Sequence, residues 1–192
     1  MIEKVLEVLA AVGPMSPGLT SHLASILTPA YYPKKTEILR YGQVCRNIFF
    51  IGQGMVVGRQ FQKNQEITPW IMREGNIATS PESFFKQTPA QVRMITVEPC
   101  HVAGITFQQL EDTYLRYPEF HLQGHLLTQQ YYLMSLERGE DKKRFTAKEK
   151  YLMLLEKDPE IAIRCPNKYL AGYLDVNEST LSTVRGSLRK RK

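Results

Sequence analysis

The chain has 192 residues, 43% of them hydrophobic, with a formal net charge of +6 and three cysteines. This length suits one large domain or two small ones, and no apolar stretch approaches the roughly 18 residues that a membrane span needs. Cys45, Cys100 and Cys165 are far apart and show no CxxC spacing, so we expect neither a zinc site nor a redox motif. The first residues lack the pattern of a signal peptide, and we expect a cytoplasmic protein.

The positive charge is concentrated in the last quarter of the sequence. Residues 1–140 carry 12 basic and 12 acidic side chains, whereas residues 141–192 carry 13 basic and 7 acidic ones. This asymmetry indicates a region that binds a polyanion, with a solvated basic tail as the alternative.

The first half of the sequence predicts two short helices followed by a series of strands. The helices are predicted over residues 2–11 and 17–27, and Pro29 and Pro33 then break the pattern. Strands are predicted over residues 36–40, 47–52, 55–62, 66–74, 91–98 and 101–106. Short strands at regular spacing are typical of a sandwich, barrel or roll.

One helix is predicted to interrupt the strands after Thr79. Thr79 and Glu82 have the spacing of a capping box, and Pro81 suits the first turn of a helix.

The sequence after residue 106 is helical, with predicted helices over residues 107–116, 119–138 and 146–157. In the long helix, side chains recur at steps of four and three residues, at Leu122, Leu126, Gln129, Leu133 and Leu136. This heptad spacing predicts a parallel homodimer through the helix, with packing on the protein's own sheet as the alternative. A hinge is predicted at residues 139–141.

The segment from residue 167 to residue 190 has the pattern of a helix-turn-helix. Apolar residues occupy the required offsets at Leu170, Leu174, Val176, Leu181 and Val184. Ala171 supplies the small residue where the two helices cross, and Asp175 stands at the turn, where it tolerates a left-handed conformation. Asn167 and Asn177 are predicted to cap the two helices.

The second of these helices is predicted to divide its contacts with DNA by role. Polar side chains in its first turns are predicted to face base edges, namely Asn177, Glu178, Ser179, Ser182 and Thr183. Basic side chains further along are predicted to contact phosphates, namely Arg185, Arg189 and Lys190.

The order of strands, long helix and helix-turn-helix resembles the Crp/Fnr family of transcription regulators over nearly the whole chain. Residues 32–42, residues 48–54 and the Gly75-Asn76-Ile77 segment resemble successive parts of the family's β-roll. The resemblance implies an α+β fold with an antiparallel β-roll sensor domain over residues 1–117, a dimerisation helix over 118–140 and a DNA-binding domain over 141–192. It implies double-stranded DNA and a second copy of the chain as partners, and RNA polymerase as a candidate partner. The sequence ends at Lys192, so we do not expect the full wing that usually follows the recognition helix.

The resemblance also locates a candidate ligand pocket, which departs from the family's cyclic-AMP pattern. Thr79-Ser80 stands where that pattern has Gly-Glu, and Ala90-Gln91 stands where it has Arg-Ser. The missing charge-assisted contact is worth roughly 1.5–3 kcal/mol, so we expect no cyclic AMP and predict no cofactor. The candidate pocket residues, for an effector of unknown identity, are Thr79, Ser80, Glu82, Ser83, Ala90, Gln91 and Ser135.

Other functions have less support in the sequence. The N-terminal cysteine cluster of iron–sulfur sensors is absent, and His121 and His125 share a helix face without a third metal ligand. No nucleophile–base spacing or glycine-rich phosphate loop indicates an enzyme. The alternative to a DNA-binding regulator is a roll that binds a ligand or partner and whose helix-turn-helix no longer reads DNA, an alternative that the acidic Glu178 keeps open.

Overall fold

The structure is a computed structural model that describes the backbone of residues 1–62 and 65–189, and the side chains of these residues except 138–144 and 189. The described helices are α1 Ile2–Val12, α2 Pro17–Ile26, α3 Pro81–Lys86, α4 Phe107–Arg116, α5 Phe120–Arg144, α6 Ala147–Lys157, α7 Pro159–Arg164, α8 Asn167–Leu174 and α9 Glu178–Arg189. The described strands are β1 Thr28–Tyr32, β2 Glu37–Leu39, β3 Asn47–Gln53, β4 Met55–Gln62, β5 Gln65–Ile67, β6 Ile71–Arg73, β7 Ile77–Ala78, β8 Val92–Thr96 and β9 Cys100–Thr106.

The strands form two antiparallel sheets, and the predicted α+β fold with a β-roll is confirmed. One sheet has the order β1-β9-β3-β7, and the other has the order β2-β8-β4-β5 with β6 also paired to β4. Strands β3 and β4 are consecutive in the chain but lie in different sheets, and the chain changes sheet at most of the connections between described strands. This alternation encloses apolar side chains between the layers and leaves α1, α2, α4 and α5 to cover the roll.

Local capping explains where several helices begin. Ser16 accepts a hydrogen bond from the N–H of Leu19 at the start of α2, and Thr106 with Gln109 forms a capping box on α4. Thr146 and Glu149 form a second capping box on α6. These bonds satisfy N–H groups that have no partner inside a helix, and they fix the first residue of each.

Two apolar clusters hold the molecule together. The larger one joins α1, α2, α3 and α4 to the roll and includes Leu9, Phe49 and Phe84. The second joins β4, β6 and β8 to the C-terminal helices, with Val57 of the roll and Leu170 of α8 in one cluster. The C-terminal helices therefore pack directly against a sheet of the roll.

The strand and helix predictions fail at several places, and three of these failures concern proline or the end of the long helix. Strand β1 was predicted as a break because of Pro29, but β1 is an edge strand, where a proline need not donate to a neighbour. The predicted strand over 66–74 is two strands, since Pro69 lies between β5 and β6. The hinge predicted at 139–141 is wrong, because α5 continues to Arg144 and ends at Phe145 in extended backbone.

Candidate nucleic-acid interface and the cavity beside the long helix

The C-terminal helices α8 and α9 form the predicted helix-turn-helix. Leu170 and Leu181 are fully buried where the two helices meet, and Ala171 is 3% exposed at their crossing. Asp175 adopts the left-handed conformation with φ 55° and ψ 54°, and the N–H of Val176 donates to the carbonyl of Ala171 across 3.1 Å. The turn that the sequence predicts at Asp175 is thus confirmed, and it sets α9 at an angle to α8.

The predicted base-reading side chains lie together on the solvent face of α9. Asn177, Glu178, Ser179, Ser182 and Thr183 are all exposed. The carbonyl of Asn177 accepts from the N–H of Leu181, which marks the start of the helix, and the hydroxyl of Thr183 donates to the carbonyl of Ser179. The face is therefore polar, uncharged apart from Glu178, and made of short side chains that allow close approach to another surface.

Arg185 has a structural position that differs from the predicted phosphate contact. Its guanidinium donates to the side-chain oxygen of Asn167 and to the carbonyl of Ala162, and it lies 5.4 Å from the centre of the Tyr151 ring. Asn167 is the first residue of α8 rather than its cap, since Pro166 is the N-cap. Arg185 is half-buried, and its hydrogen bonds join α9 to α7 and α8.

The remaining basic residues of the predicted interface, Arg189 and Lys190, lie at the C-terminal end of the sequence. The side chain of Arg189 lies outside the described side chains, and Lys190 lies outside the described residues. Lys168, which the sequence reasoning did not single out, is exposed in the first turn of α8. In a helix-turn-helix the first helix crosses the DNA backbone. The basic residue at the start of the first helix could therefore have been predicted from the sequence as a candidate phosphate contact.

A set of ion pairs anchors the C-terminal helices to the roll. Arg164 of α7 donates to the carboxylates of Glu74, Glu98 and Glu160, with 2.8 Å between its Nη2 and Oε1 of Glu74. Burial alone would raise the pKa of Glu74, but hydrogen bonds from Arg164 and from the N–H of Gly54 outweigh it and lower the pKa to about 2. The pair thus favours the ionised carboxylate strongly and fixes α7 on the roll.

A second contact joins α8 to the edge of the roll. The guanidinium of Arg59 is buried, donates to Thr68 and Glu66, and lies 5.3 Å from the centre of the Tyr169 ring in α8. The N–H of Thr68 also donates to the carbonyl of Gly172. The inner side of α8 therefore packs on the roll, while the polar face of α9 is exposed to solvent.

Helix α5 has two different sides. One side packs on the body of the protein, where buried Gln123 donates to the carbonyl of Pro14, and Tyr131 accepts from the N–H of Ile77. The other carries the predicted heptad residues, with exposures of 44% at Leu122, 50% at Leu133 and 49% at Leu136. Of the remaining heptad residues, Leu126 is half-buried and Gln129 is exposed. Packing on the sheet and an unpartnered apolar seam thus coexist on one helix.

The predicted pocket residues range from buried to exposed, and the hydroxyl groups of Thr79 and Ser83 both contact Cys45. Ser83 is buried, accepts from the N–H of Cys45 and donates to the carbonyl of Thr88. Ser80 and Ala90 are also buried, at 4% and 2% exposure. Glu82, Gln91 and Ser135 are exposed.

The capping box predicted at Thr79 is wrong. Ser80 is the N-cap of α3 and makes no side-chain cap bond, while Glu82 pairs with Lys86. Arg93 pairs with Glu37 and Glu66, so it supplies no free charge to this region.

A separate cavity of about 350 Å³ lies between the roll and its covering helices. Its walls come from α1, α2, α3, α4, α5 and the roll, and they are largely apolar, with Phe50, Trp70, Leu110 and Leu127 among them. Of the predicted pocket residues only Thr79 lines it. Sequence patterns did not reveal this cavity, because its walls come from many separate segments between Leu9 and Tyr132.

The described residues contain neither a helix suited to a membrane nor a cluster suited to a metal ion. None of their helices combines the length and the apolar character that a membrane crossing requires. Within the same part of the chain, no three His, Cys, Asp or Glu side chains come together in a way that could hold a metal ion. His121 instead stacks on the ring of Tyr114, with 4.7 Å between ring centres.

The fold is shared with solved structures of Crp/Fnr regulators. The chain is similar to the c-di-GMP responsive global regulator CLP of Xanthomonas campestris, with a TM-score of 0.70 and 16% identity over 92% of this chain and 93% of that chain. It is similar to FixK2 of Bradyrhizobium japonicum, with a TM-score of 0.71 and 15% identity over 86% of each chain. The catabolite activator protein of Thermus thermophilus gives a TM-score of 0.56 at 18% identity, over 96% of this chain and 87% of that one.

No protein-family model and no curated protein matches the chain. At these identities the structural likeness establishes the fold, and it confirms at that level the resemblance drawn from the sequence.

Proposed function

We propose that the protein is a DNA-binding transcription regulator that acts as a homodimer. The observation that carries this proposal is the exposed polar face of α9, held by a buried helix-turn-helix core and directed away from the roll. Helices presented in this way enter the major groove, where side chains near the N-terminus contact base edges. The fold shared with known regulators supports the same conclusion.

Base contacts are assigned to the short polar side chains of α9. Ser182 and Thr183 are exposed one turn beyond Ser179, and these short side chains allow α9 to approach the groove floor. Glu178 at the start of the helix is suited to accept a hydrogen bond from a cytosine amino group. Cyclic-AMP-responsive regulators carry arginine and glutamate at the matching positions. Because the side chains of α9 differ from these, we expect this protein to recognise a different operator sequence.

Phosphate contacts are assigned to basic residues around α9 rather than to Arg185, whose donors are used inside the protein. Lys168 is exposed at the start of α8, where the first helix of the motif crosses the DNA backbone. Arg189 is the last described residue of α9, Lys190 lies outside the described residues, and both remain candidates for the same role by their charge. Each phosphate contact adds a sequence-independent term that falls with salt concentration.

The second copy of the chain is placed along α5. The exposed leucines Leu122, Leu133 and Leu136 and half-buried Leu126 form an apolar seam at heptad spacing, and such seams pair two parallel helices. A two-fold axis along α5 would present two α9 helices to one face of the DNA, roughly 34 Å apart.

The sensor function is proposed to differ from cyclic-nucleotide binding. Ser80 and Ala90 replace the two residues that would hold the ribose and the cyclic phosphate, and both are buried. Cyclic AMP is therefore not the proposed effector. RNA polymerase is a candidate partner for a regulator of this architecture.

Fluorescence anisotropy of a labelled random-sequence duplex tests the DNA-binding proposal. The wild-type protein is expected to bind at low salt, with an affinity that falls linearly on a logarithmic salt axis because phosphate contacts release counterions. The same titration on single-stranded DNA serves as a control for charge alone. Absence of binding to the duplex at low salt would overturn the regulator proposal and favour the alternative, a roll whose helix-turn-helix contacts another partner.

A further inference from the structure

The cavity beside α5 has the dimensions of a small-molecule site. Its volume of about 350 Å³ lies within the range of roughly 300–1,000 Å³ that is typical of ligand pockets. It is formed by several elements at once, with Leu9 from α1, Leu23 from α2, Phe50 from β3 and Leu127 from α5 in its walls. Side chains in a protein interior normally pack closely and leave few such cavities, because the walls of an empty apolar cavity lose dispersion contacts.

The chemistry of the walls restricts what the cavity can hold. Among the residues that line it within the described part of the chain, there is no lysine, arginine, histidine, aspartate or glutamate. A phosphate or carboxylate placed here would lose its hydration without a compensating charge, which costs several kcal/mol. An anionic nucleotide is therefore disfavoured, and a neutral apolar molecule is favoured.

A few hydroxyl groups provide polarity inside this apolar space. Thr79 and Thr128 donate their hydroxyl hydrogens to backbone carbonyls, so they are already satisfied. Tyr131 accepts from the N–H of Ile77, and its own hydrogen has no acceptor in the part of the chain that the structure describes. The hydroxyl of Tyr114 likewise has no described partner, and it lies against α5 at Gly124, where a Cβ atom would come within 2.1 Å of it. Two donors thus remain for a ligand that carries a hydrogen-bond acceptor.

We propose that this cavity is the protein's effector site and that it binds a neutral, largely apolar molecule, aromatic or branched aliphatic, with one hydrogen-bond acceptor. Of the candidate pocket residues that the resemblance suggested, Thr79 lines this cavity, whereas Ser80, Ser83, Ala90 and Gln91 do not. It lies against the inner side of α5, whose outer side carries the leucine seam. The proposal goes beyond DNA binding, and it stands or fails without it.

Binding of N-phenyl-1-naphthylamine, a neutral apolar fluorophore, tests the proposal on the full chain in the absence of DNA. Trp70 is the single tryptophan of the sequence and lines the cavity, so a bound probe is expected to quench its fluorescence by energy transfer. Saturable binding of one probe per chain with Trp70 quenching is the expected result. No saturable binding, or saturable binding without any Trp70 quenching, would overturn the proposal.

A pair of tryptophan substitutions locates the bound probe. Thr128→Trp places a bulky side chain at the exposed rim of the cavity, whereas Leu115→Trp adds the same side chain on α4 at a residue that is 84% exposed and does not line it. Thr128→Trp is expected to weaken probe binding at least about tenfold, a loss of about 1.4 kcal/mol, and Leu115→Trp is expected to leave it unchanged. Circular dichroism verifies that both variants fold. Equal affinities for both folded variants would place the probe elsewhere and overturn the proposal, and if Thr128→Trp does not fold, Trp70 quenching in the wild type decides.

Competing compounds test the ligand class. 1-Naphthyl phosphate carries the anion that the cavity disfavours, and it is expected to displace the probe far more weakly than neutral 2-ethylnaphthalene. 2-Acetylnaphthalene adds a carbonyl acceptor for the tyrosine donors, and it is expected to compete more strongly than 2-ethylnaphthalene. Stronger competition by the phosphate would contradict a neutral ligand, and equal competition by the two neutral compounds would contradict the acceptor.

Discussion

The hydroxyl oxygen of Tyr131 accepts a hydrogen bond from the backbone N–H of Ile77 across 2.7 Å. The bond joins α5, which carries the proposed dimer seam, to the short strand β7 at the wall of the cavity. Burial raises the pKa of Tyr131, as expected for a phenol held away from water. The side chain therefore links the long helix to the roll.

Tyr131→Phe is predicted to destabilise the protein by about 1–3 kcal/mol, because the N–H of Ile77 loses its partner in a half-buried position. The neighbouring Tyr132 is 62% exposed, and Tyr132→Phe is the matched control, with an expected effect within about 0.5 kcal/mol. Urea denaturation monitored by circular dichroism measures both. Equal stabilities of the two variants would show that the hydrogen bond contributes nothing to the docking of α5.

Leu133→Asp is predicted to convert the protein from a dimer to a monomer. Leu133 is 50% exposed in the seam of α5, and a carboxylate there would have to be desolvated against the partner helix. Leu115→Asp makes the same change at an exposed leucine of α4 outside the seam and should leave a dimer. Size-exclusion chromatography with light scattering gives the masses. A wild-type protein that is monomeric at tens of micromolar would contradict the proposed interface.

Acid is predicted to weaken the folded protein through Glu74. The pKa of its carboxyl is about 2 in the folded chain, against an ordinary 4.5, so the unfolded chain binds more protons between these two pH values. The stabilisation is complete above about pH 4.5 and is lost as the pH falls towards 2. Glu74→Gln should flatten the fall in the free energy of unfolding across this window, whereas Glu3→Gln at an exposed site of α1 should not.

Arg164→Ala is predicted to destabilise the protein, because it removes the guanidinium that pairs with Glu74. The guanidinium contacts three carboxylates, and its loss should cost roughly 1–3 kcal/mol at neutral pH. In Glu74→Gln the effect of the same change should be smaller, because one of the partners is already neutral. A double-mutant cycle by urea denaturation measures this coupling. Strict additivity of the two changes would contradict a direct interaction.

Cyclic AMP and cyclic GMP are predicted to bind only at millimolar concentrations, if at all. Ser80 and Ala90 supply no charge for the ribose or the phosphate, and Arg93 is paired with Glu37 and Glu66. Titration calorimetry of each nucleotide is the measurement. Micromolar binding of either would show that another residue replaces the missing arginine.

Base and phosphate contacts are predicted to respond differently to substitution. Ser182→Ala should cost roughly 1–3 kcal/mol on a selected operator and little on random DNA, whereas Lys168→Ala should weaken both and reduce the salt slope by about one unit. Ser25→Ala, on an exposed face of α2, is the control for a serine outside the interface. The placement of α9 in the groove would be wrong if Ser182→Ala weakened both DNAs equally.

Local patterns predicted the parts of the fold whose causes are local. Strand β4 was predicted with its observed bounds because its run of β-formers is bracketed by turn residues, and the turn at Asp175 follows from its tolerance of the left-handed conformation. The position of Arg185 was not predictable in this way, because its partners Asn167 and Ala162 lie 18 and 23 residues away. The helix α7 was missed, although Asp158 caps it and Pro159 begins it.

The candidate functional sites show the same difference between features set by local sequence and features set by long-range packing. The exposed polar face of α9 is a property of one helix, so its residues could be predicted from spacing, and their contacts with DNA stay a prediction. The cavity is assembled from residues between Leu9 and Tyr132, and the residues that the resemblance suggested for a pocket serve other purposes, as Ser83 does in bonding Cys45 and Thr88. Cavities of this kind form by packing between residues that are distant in the sequence, and the periodicity of the sequence does not predict that packing.

Selection of genomic fragments by the purified protein, followed by footprinting of the enriched fragments, tests the central proposal most directly. A dimeric regulator with α9 in the major groove is expected to protect two half-sites in inverted orientation, with centres about 10–10.5 base pairs apart or a multiple of that spacing. Leu133→Asp is expected to abolish this protection. Failure to enrich any fragment, or protection of a single unpaired site that persists in Leu133→Asp, would contradict a dimeric DNA-binding regulator.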